Sequence, residues 1–220
     1  MAEARREYEG RGGRLETIVA DDASTDGTAR IAEEHGCRVA SLEVRKIGAA
    51  RNGGARVAGG EFLAFVDADS RIHPHTFTEV DRLLRSARVV GGASGVTMER
   101  WSPGIAATWA VMVPLVWLTG FDTGVVFCRR ADFAALGGYD ERRWVAEDVD
   151  FLLRLWRLGR ARGQRVVRAR GIKAVASTRK FDEHGEWHYF RMLPLGLKLL
   201  FHRGHSDTFV SRYWYDASGR

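Results

Sequence analysis

The sequence predicts a single α/β domain with a largely parallel sheet. Three observations carry this expectation. Short β-prone runs alternate with helical stretches through the first half. Acidic residues stand where the apolar runs end. The 220 residues, 45% of them hydrophobic, are enough for one core and would be cramped as two.

Leu15 to Ala20 is a β-prone run, closed by the turn-forming and cap-forming stretch Asp21 to Thr28. A helix over Thr28 to His35 follows, stopped by Gly36. Cys37 to Leu42 reads as a second strand, and Gly48 to Ala58 as an Ala-rich helix despite Gly53 and Gly54. Glu61 to Val66 is a compact apolar strand running straight into Asp67-Ala68-Asp69. Pro74 and the spacing of Phe77, Val80, Leu83 and Leu84 mark an amphipathic helix reaching about Ser86. Val89 to Met98 reads as one strand. The apolar stretch Ile105 to Leu118 is shorter than the roughly 18 residues of a membrane span. It reads as a buried helix, with an interfacial helix as the alternative because of Trp109, Pro114 and Trp117. Gly124 to Cys128 is a strand and Ala131 to Leu136 a short helix, and the loop Gly137-Gly138-Tyr139-Asp140 follows. Glu147 to Leu158 is a helix, with Phe151, Leu152, Leu155 and Leu158 at helical spacing and Gly159 as its stop. After Ala174 the pattern weakens to a basic, aromatic tail with one more helix around Trp187 to Phe201.

The net charge of +6 and a pI near 9.7 favour anionic partners such as nucleotides or phospholipid head groups. Nucleic acid is not expected, because the arginines are dispersed among strand-end acids that would repel phosphates. Cys37 and Cys128 are far apart and form no C-x-x-C pair, so neither a zinc site nor a disulfide framework is indicated. Met1 to Arg14 has no apolar run of the kind a secretory signal needs, which gives a cytoplasmic expectation.

In open α/β sheets ligands bind outside the carboxyl ends of the strands. Asp21 and Asp22 close the first strand, Asp67 and Asp69 close the strand from Glu61, and Glu147-Asp148 opens a helix. In a D-x-D turn one carboxylate can meet a divalent cation while the other reaches a sugar hydroxyl or a metal-bound water. Mg²⁺ and Mn²⁺ favour such oxygen ligands and share them with substrate phosphates. The structural alternative is ordinary turn chemistry for Asp67 and Asp69, a helix cap at Asp21-Asp22, and a favourable helix-end charge at Asp148.

Five motifs arrive in a recognisable order: Ile18 to Thr28; Gly48-Ala49-Ala50-Arg51-Asn52-Gly53-Gly54; Gly60 to Asp69; Gly137-Gly138-Tyr139-Asp140-Glu141; and Glu147-Asp148-Val149-Asp150. Together, over about Leu15 to Leu158, they resemble glycosyltransferase family 2. The resemblance implies the GT-A fold, a three-layer α/β/α arrangement on a mainly parallel mixed sheet. It further implies an inverting transfer of a sugar from a nucleoside diphosphate to an acceptor hydroxyl, assisted by Mn²⁺ or Mg²⁺, with a role in cell-envelope or polysaccharide synthesis. Carried over by position, Asp22 contacts the base, Arg51 lies near the base or diphosphate, Asp67 approaches the ribose and Asp69 binds the metal. Asp148 corresponds to the catalytic base, with Glu147 beside it, and Gly137, Gly138 and Tyr139 belong to the acceptor region. Arg179, Lys180 and His184 fall where related enzymes place a phosphate-contacting loop, with His184, or His188 in its stead, as a second metal ligand.

The expected donor is a UDP-sugar, with GDP-mannose next, and the acceptor a saccharide or a lipid-linked one, reached through peripheral contact with the inner face of the membrane. The expected layout is residues 1–14 as the remnant of a first helix, about 15–100 as the nucleotide-sugar half, about 101–178 as the acceptor half and 179–220 as the basic aromatic segment. The family's opening strand and its Pro-x-(Tyr/Phe)-Asn-Glu motif have no counterpart here. An interrupted sheet with two bare edges is therefore expected, in a chain that is a piece of a longer one. The Gln-x-x-Arg-Trp motif of processive members is also missing, which points to single addition. A non-catalytic nucleotide-sugar-binding or assembly subunit is the alternative reading.

Overall fold

The computed structural model describes residues 1–119, 123–144, 146–187 and 190, with only the backbone of 112–119 and Lys180. Its helices are α1 (Ala2–Gly10), α2 (Thr28–Glu34), α3 (Ile47–Val57), α4 (Thr76–Arg85), α5 (Pro103–Thr119), α6 (Arg130–Ala135), α7 (Glu147–Ala161) and α8 (Arg179–His184). Its strands are β1 (Ile18–Asp22), β2 (Arg38–Leu42), β3 (Phe62–Phe65), β4 (Val89–Ala93), β5 (Val96–Met98), β6 (Val126–Arg129), β7 (Arg165–Arg168) and β8 (Ala174–Ala176).

Four strands in the order β3-β6-β4-β7 form the central sheet. β6 runs antiparallel to both neighbours, Leu63 and Gly91 each facing Cys128, while β4 and β7 are parallel. The parallel pair β1-β2 and the parallel pair β5-β8 stand as separate ribbons. Among the described residues three of the five strand pairings are parallel, so the arrangement is mixed, as expected. Among the described residues no strand joins β1 to β3, so the anticipated interruption is present.

Alternation along β6 sets the layers. Val126 and Cys128 point to one face with Phe151, Leu152 and Leu155 of α7, whereas Phe127 points to the other with Val80 and Leu84 of α4. β4 is buried at every position, and its glycines are what let both sides close. A Cβ at Gly91 would lie 2.5 Å from the Phe127 carbonyl and 2.7 Å from Leu155 Cδ2, and one at Gly92 only 2.1 Å from the Val167 carbonyl. Arg129 ties α4 to the sheet. Its guanidinium donates to the carbonyls of Leu84 and, at 3.1 Å, of Ser86, groups that the end of α4 leaves open, and to that of Val89 in β4 at 2.7 Å. α1 is held on α4 by Tyr8, whose hydroxyl donates to Asp81 at 2.9 Å.

Several expectations are corrected. Val89 to Met98 is two strands, because the backbone turns at Gly95 (φ +78°) and the Ser94 hydroxyl bonds the Gly95 carbonyl and the Val125 N–H. Gly159 does not stop its helix. α7 continues to Ala161, and Gly159 is buried where a Cβ would meet Val90 Cγ1 at 2.7 Å. The helix that ends the run is followed instead by Gly163 at φ +69°. The apolar helix is not buried along its described turns: Ile105 is fully buried, but Ala106, Ala110 and Val111 face solvent. β7, β8 and α8 were not anticipated. The helix expected over Trp187 to Phe201 lies outside the described residues apart from Trp187 and Phe190, as does His188. No helix among the described residues is long and apolar enough to cross a membrane.

Candidate functional site

α3 carries the organising residue. Arg51 is largely buried and reaches three carboxylates at once: Nη1 donates to Asp148 at 2.5 Å and to Glu147 at 3.1 Å, and Nη2 to Asp67 at 2.6 Å. The end of β3 and the start of α7 thus meet on one side chain. α7 begins there because Ala146 takes up a left-handed conformation (φ +57°), turning the chain so that Glu147, Asp148 and Asp150 occupy the first helical turn. Acids are favoured at that helix end by the exposed N–H groups. The other two left-handed non-glycines among the described residues, Ala23 and Arg45, follow β1 and precede α3, so all three border the loops around the candidate site.

Burial sets the chemistry of Asp148. It pushes the carboxyl up to about 7, and the negative neighbours Glu147 and Asp67 add to the rise; Arg51 and the Tyr139 hydroxyl work against it. Burial disfavours the charge on Arg51, but Asp148 foremost, with Tyr139, Asp67 and Glu147, holds its proton more tightly than usual. Tyr139 is driven well above its ordinary value by burial and then by Asp148.

The loop before α7 is fixed from α3 as well. Asn52, next to Arg51, donates to the Tyr139 carbonyl at 2.9 Å and to Glu141 at 2.8 Å, and accepts from the Tyr139 N–H at 2.8 Å. Gly138 stands at φ +73°, where a Cβ would lie 2.4 Å from Asn52 Oδ1, so both its conformation and its closeness require glycine. Gly137 shares the φ but faces open space. The Tyr139 ring is held by Phe65, Phe133 and Phe151, with centroids 5.2, 5.8 and 4.8 Å away, and by the Arg51 guanidinium at 5.3 Å. Its hydroxyl is buried and has no aligned hydrogen-bond partner.

The remaining predicted residues stand apart from this cluster. Asp22 accepts three backbone N–H bonds, from Val44, Arg45 and Lys46 at 2.7, 2.9 and 3.2 Å, and so holds the β2–α3 loop. Beside it a concavity at the carboxyl ends of β1 and β2 is lined by Asp21, Ala23, Ser41, Leu42 and Glu43. Asp69 is an exposed carboxylate on the turn that Ser70 N–H closes onto the Asp67 carbonyl. His184 is exposed at the end of α8, and Arg179 lies 3.7 Å from Glu183. Among the described residues no three His, Cys, Asp or Glu side chains gather as a metal cage. Asp69 nonetheless fits as a single hard oxygen ligand, open to solvent, of the kind Mg²⁺ and Mn²⁺ use when phosphates and waters complete the shell. Asn52 was missed as a site residue. The signal was its place inside an Ala-rich helix, where Asn is unfavourable unless its amide has a partner.

Residues 4–105 match the family model described as glycosyl transferase family 2. The protein named "Putative glycosyltransferase EpsH" of Bacillus subtilis is 37% identical over 78 residues, covering 33% of this chain and 22% of that protein. The uncharacterized glycosyltransferase YibD of Escherichia coli is 43% identical over 65 residues, covering 27% and 19%. The chain therefore matches about a fifth of the length of these relatives. Among solved structures, S. aureus TarS 1-349 in complex with UDP-GlcNAc superposes with a TM-score of 0.56 at 20% identity, over 74% of this chain and 49% of that one. The mannosyltransferase PcManGT from Pyrobaculum calidifontis, in complex with GDP-Man and Mn²⁺, gives 0.54 at 22% identity, over 70% and 45%. The first half of the chain thus resembles glycosyl transferase family 2, and the fold is that of the GT-A glycosyltransferases.

Proposed function

We propose that this chain transfers a sugar from a nucleoside diphosphate to an acceptor hydroxyl by direct displacement with inversion. The observation that carries the reading is the Asp148 carboxyl, brought to about 7 at the point where Arg51, Asp67 and Glu147 converge. A base with that proton affinity can take the acceptor proton as its oxygen attacks the anomeric carbon. Arg51 is the cation nearest the base, and passing its hydrogen bonds from Asp148 to the donor diphosphate would free the carboxylate at the moment of attack. Asp67 would meet the ribose and Asp22 the base. Tyr139, Gly137 and Gly138 would shape the acceptor side, with Glu147 beside the base. Asp69 would hold Mn²⁺ or Mg²⁺, which when bound offsets charge on the diphosphate. His184 would be the second protein ligand of that ion.

TarS and PcManGT were solved with UDP-GlcNAc and with GDP-Man, which supports a nucleotide-sugar donor of UDP or GDP type. A saccharide or lipid-linked acceptor and a place at the inner membrane face complete the reading. The test is nucleotide release and sugar transfer with and without Mn²⁺ in the wild type and in Asp148→Asn. Transfer should fall by about 10²- to 10⁴-fold with nucleotide binding retained; release that continues unchanged removes Asp148 from the mechanism. Donor binding without any transfer in the wild type would favour the binding-subunit alternative.

A further inference from the structure

The face of α3 that carries Gly48, Arg51, Asn52 and Arg56 at helical spacing is turned to the segment from Tyr139 to Asp148. A Cβ at Gly48 would stand 3.4 Å from Tyr139 Cβ, 3.7 Å from the Asp140 carbonyl oxygen and 3.9 Å from Glu147 Cβ. Arg51 takes Glu147 and Asp148, and Arg56 Nη1 lies 3.9 Å from Glu141 Oε1. Between them Asn52 is 7% exposed, and its amide is used in full. Oδ1 accepts from the Tyr139 N–H, while Nδ2 donates to the Tyr139 carbonyl and to Glu141 Oε1. A side chain that both gives to and takes from the main chain of one residue grips it as a paired β-strand neighbour does. Asn is a poor helix former because it competes for backbone bonds, so its place inside α3 is explained by the loop it holds and not by the helix.

We propose that Asn52 is a positioning residue for the transfer, clamping Tyr139 and Glu141 to α3 so that the acceptor loop and the neighbouring Arg51 keep one fixed spacing about Asp148. The proposal rests on the glycosyl-transfer reading and adds to it the part that holds the two sides together. Arg51 serves the donor side and Asn52 the acceptor side, and the two are consecutive residues of one helix. Asp148 is faced by Arg51 from α3, by Glu147 from its own helix, by Asp67 from the end of β3 and by Tyr139 from the loop. Of these, Tyr139 is the one that Asn52 grips. Its ring is hemmed in by Phe65, Phe133 and Phe151, so the backbone that Asn52 fixes sets how far the hydroxyl reaches towards Asp148. Loss of the amide leaves the Tyr139 N–H and carbonyl unpaired in a buried place, which the loop can relieve only by moving.

The test is hydrolysis of UDP-GlcNAc and of GDP-Man with Mn²⁺, water standing in for the acceptor, in wild type, Asn52→Ala, Tyr139→Phe and the double variant. In Asn52→Ala kcat should fall by about a hundredfold while KM for the donor changes little, because Arg51 and the strand-end acids stay in place. The kcat/KM inflection should move to higher pH as in Tyr139→Phe, and adding Asn52→Ala to Tyr139→Phe should move it no further. A variant that melts lower but keeps the wild-type inflection and kcat has lost stability alone, which overturns the proposal. Should Asn52→Ala fail to fold, Asn52→Asp with Glu141→Gln decides. Asn52→Asp sets a carboxylate against Glu141, and Glu141→Gln restores a donor between the two, so the pair should recover about tenfold in kcat over Asn52→Asp alone; no recovery overturns the proposal. Amide exchange needs no activity: the Tyr139 N–H should lose protection in Asn52→Ala, and unchanged protection overturns the clamp. A wild type that hydrolyses neither donor while its Tyr139 amide depends on Asn52 counts against the glycosyl-transfer reading and leaves the clamp supported.

Discussion

Arg51 Nη1 sits 2.5 Å from Asp148 Oδ1 while Nη2 sits 2.6 Å from Asp67 Oδ1, so a single guanidinium joins the end of β3 to the start of α7. Removing it leaves three carboxylates facing one another, two of them largely buried. Arg51→Ala is expected to cost about 3 kcal/mol in a urea melt near neutral pH. The loss should shrink in acid, where the carboxyls can take up protons instead of repelling. Equal losses at both pH values would mean that the side chain contributes packing alone.

The Asp148 carboxyl stands at about 7 against an ordinary 3.8. The folded protein therefore keeps a proton that the unfolded chain releases, and this contribution to stability is complete below about pH 4. It is lost as pH rises towards 7 and is level above that. Asp148→Asn should remove this slope from a pH series of urea melts. In the active protein the base form is the deprotonated one, so kcat/KM should rise with pH and level off above about 7.

Tyr139→Phe separates stability from chemistry. The hydroxyl lacks an aligned partner, so its loss should move the melt by less than about 1 kcal/mol. Because the hydroxyl lowers the proton affinity of Asp148, the kcat/KM inflection should move to higher pH in the variant. An inflection that stays in place would detach Tyr139 from the base.

Gly159→Ala pits local preference against packing. An Ala inside a helix is ordinarily worth about 1 kcal/mol over Gly. Here its Cβ would press on Val90 Cγ1 at 2.7 Å, so the variant should be destabilised. Val90→Ala in the same chain should relieve that clash, making the double variant more stable than the sum of the two singles; thermal melts of the four proteins close the cycle.

The parts of the fold legible in the sequence were those written in local periodicity. α7 was readable from Phe151, Leu152 and Leu155, and the strand ends from apolar runs halted by Asp21-Asp22 and Asp67. Gly159 misled because a glycine that ends a helix and one that admits a neighbouring strand are the same letter; only Val90 distinguishes them. β7 was hidden because Arg165-Val166-Val167-Arg168 is short, basic at both ends and takes its pairing from β4, some 75 residues earlier. At the site, the acids were visible one by one. Their meeting on Arg51, and the grip of Asn52 on Tyr139 from 87 residues away, are products of tertiary structure.

Arg129 also sets a timetable. The Leu84 and Ser86 carbonyls at the end of α4 accept from a side chain that lies 43 to 45 residues further on. While the chain is being synthesised, α4 can coil as soon as Arg85 is out, but its last turn has only water to bond until β6 has been made and has docked. Loop closure over that distance must come before the bonds that reward it. Nascent chains halted before Arg129 should accordingly fray at Leu84 to Ser86, and those extended past β6 should protect the same amides from exchange.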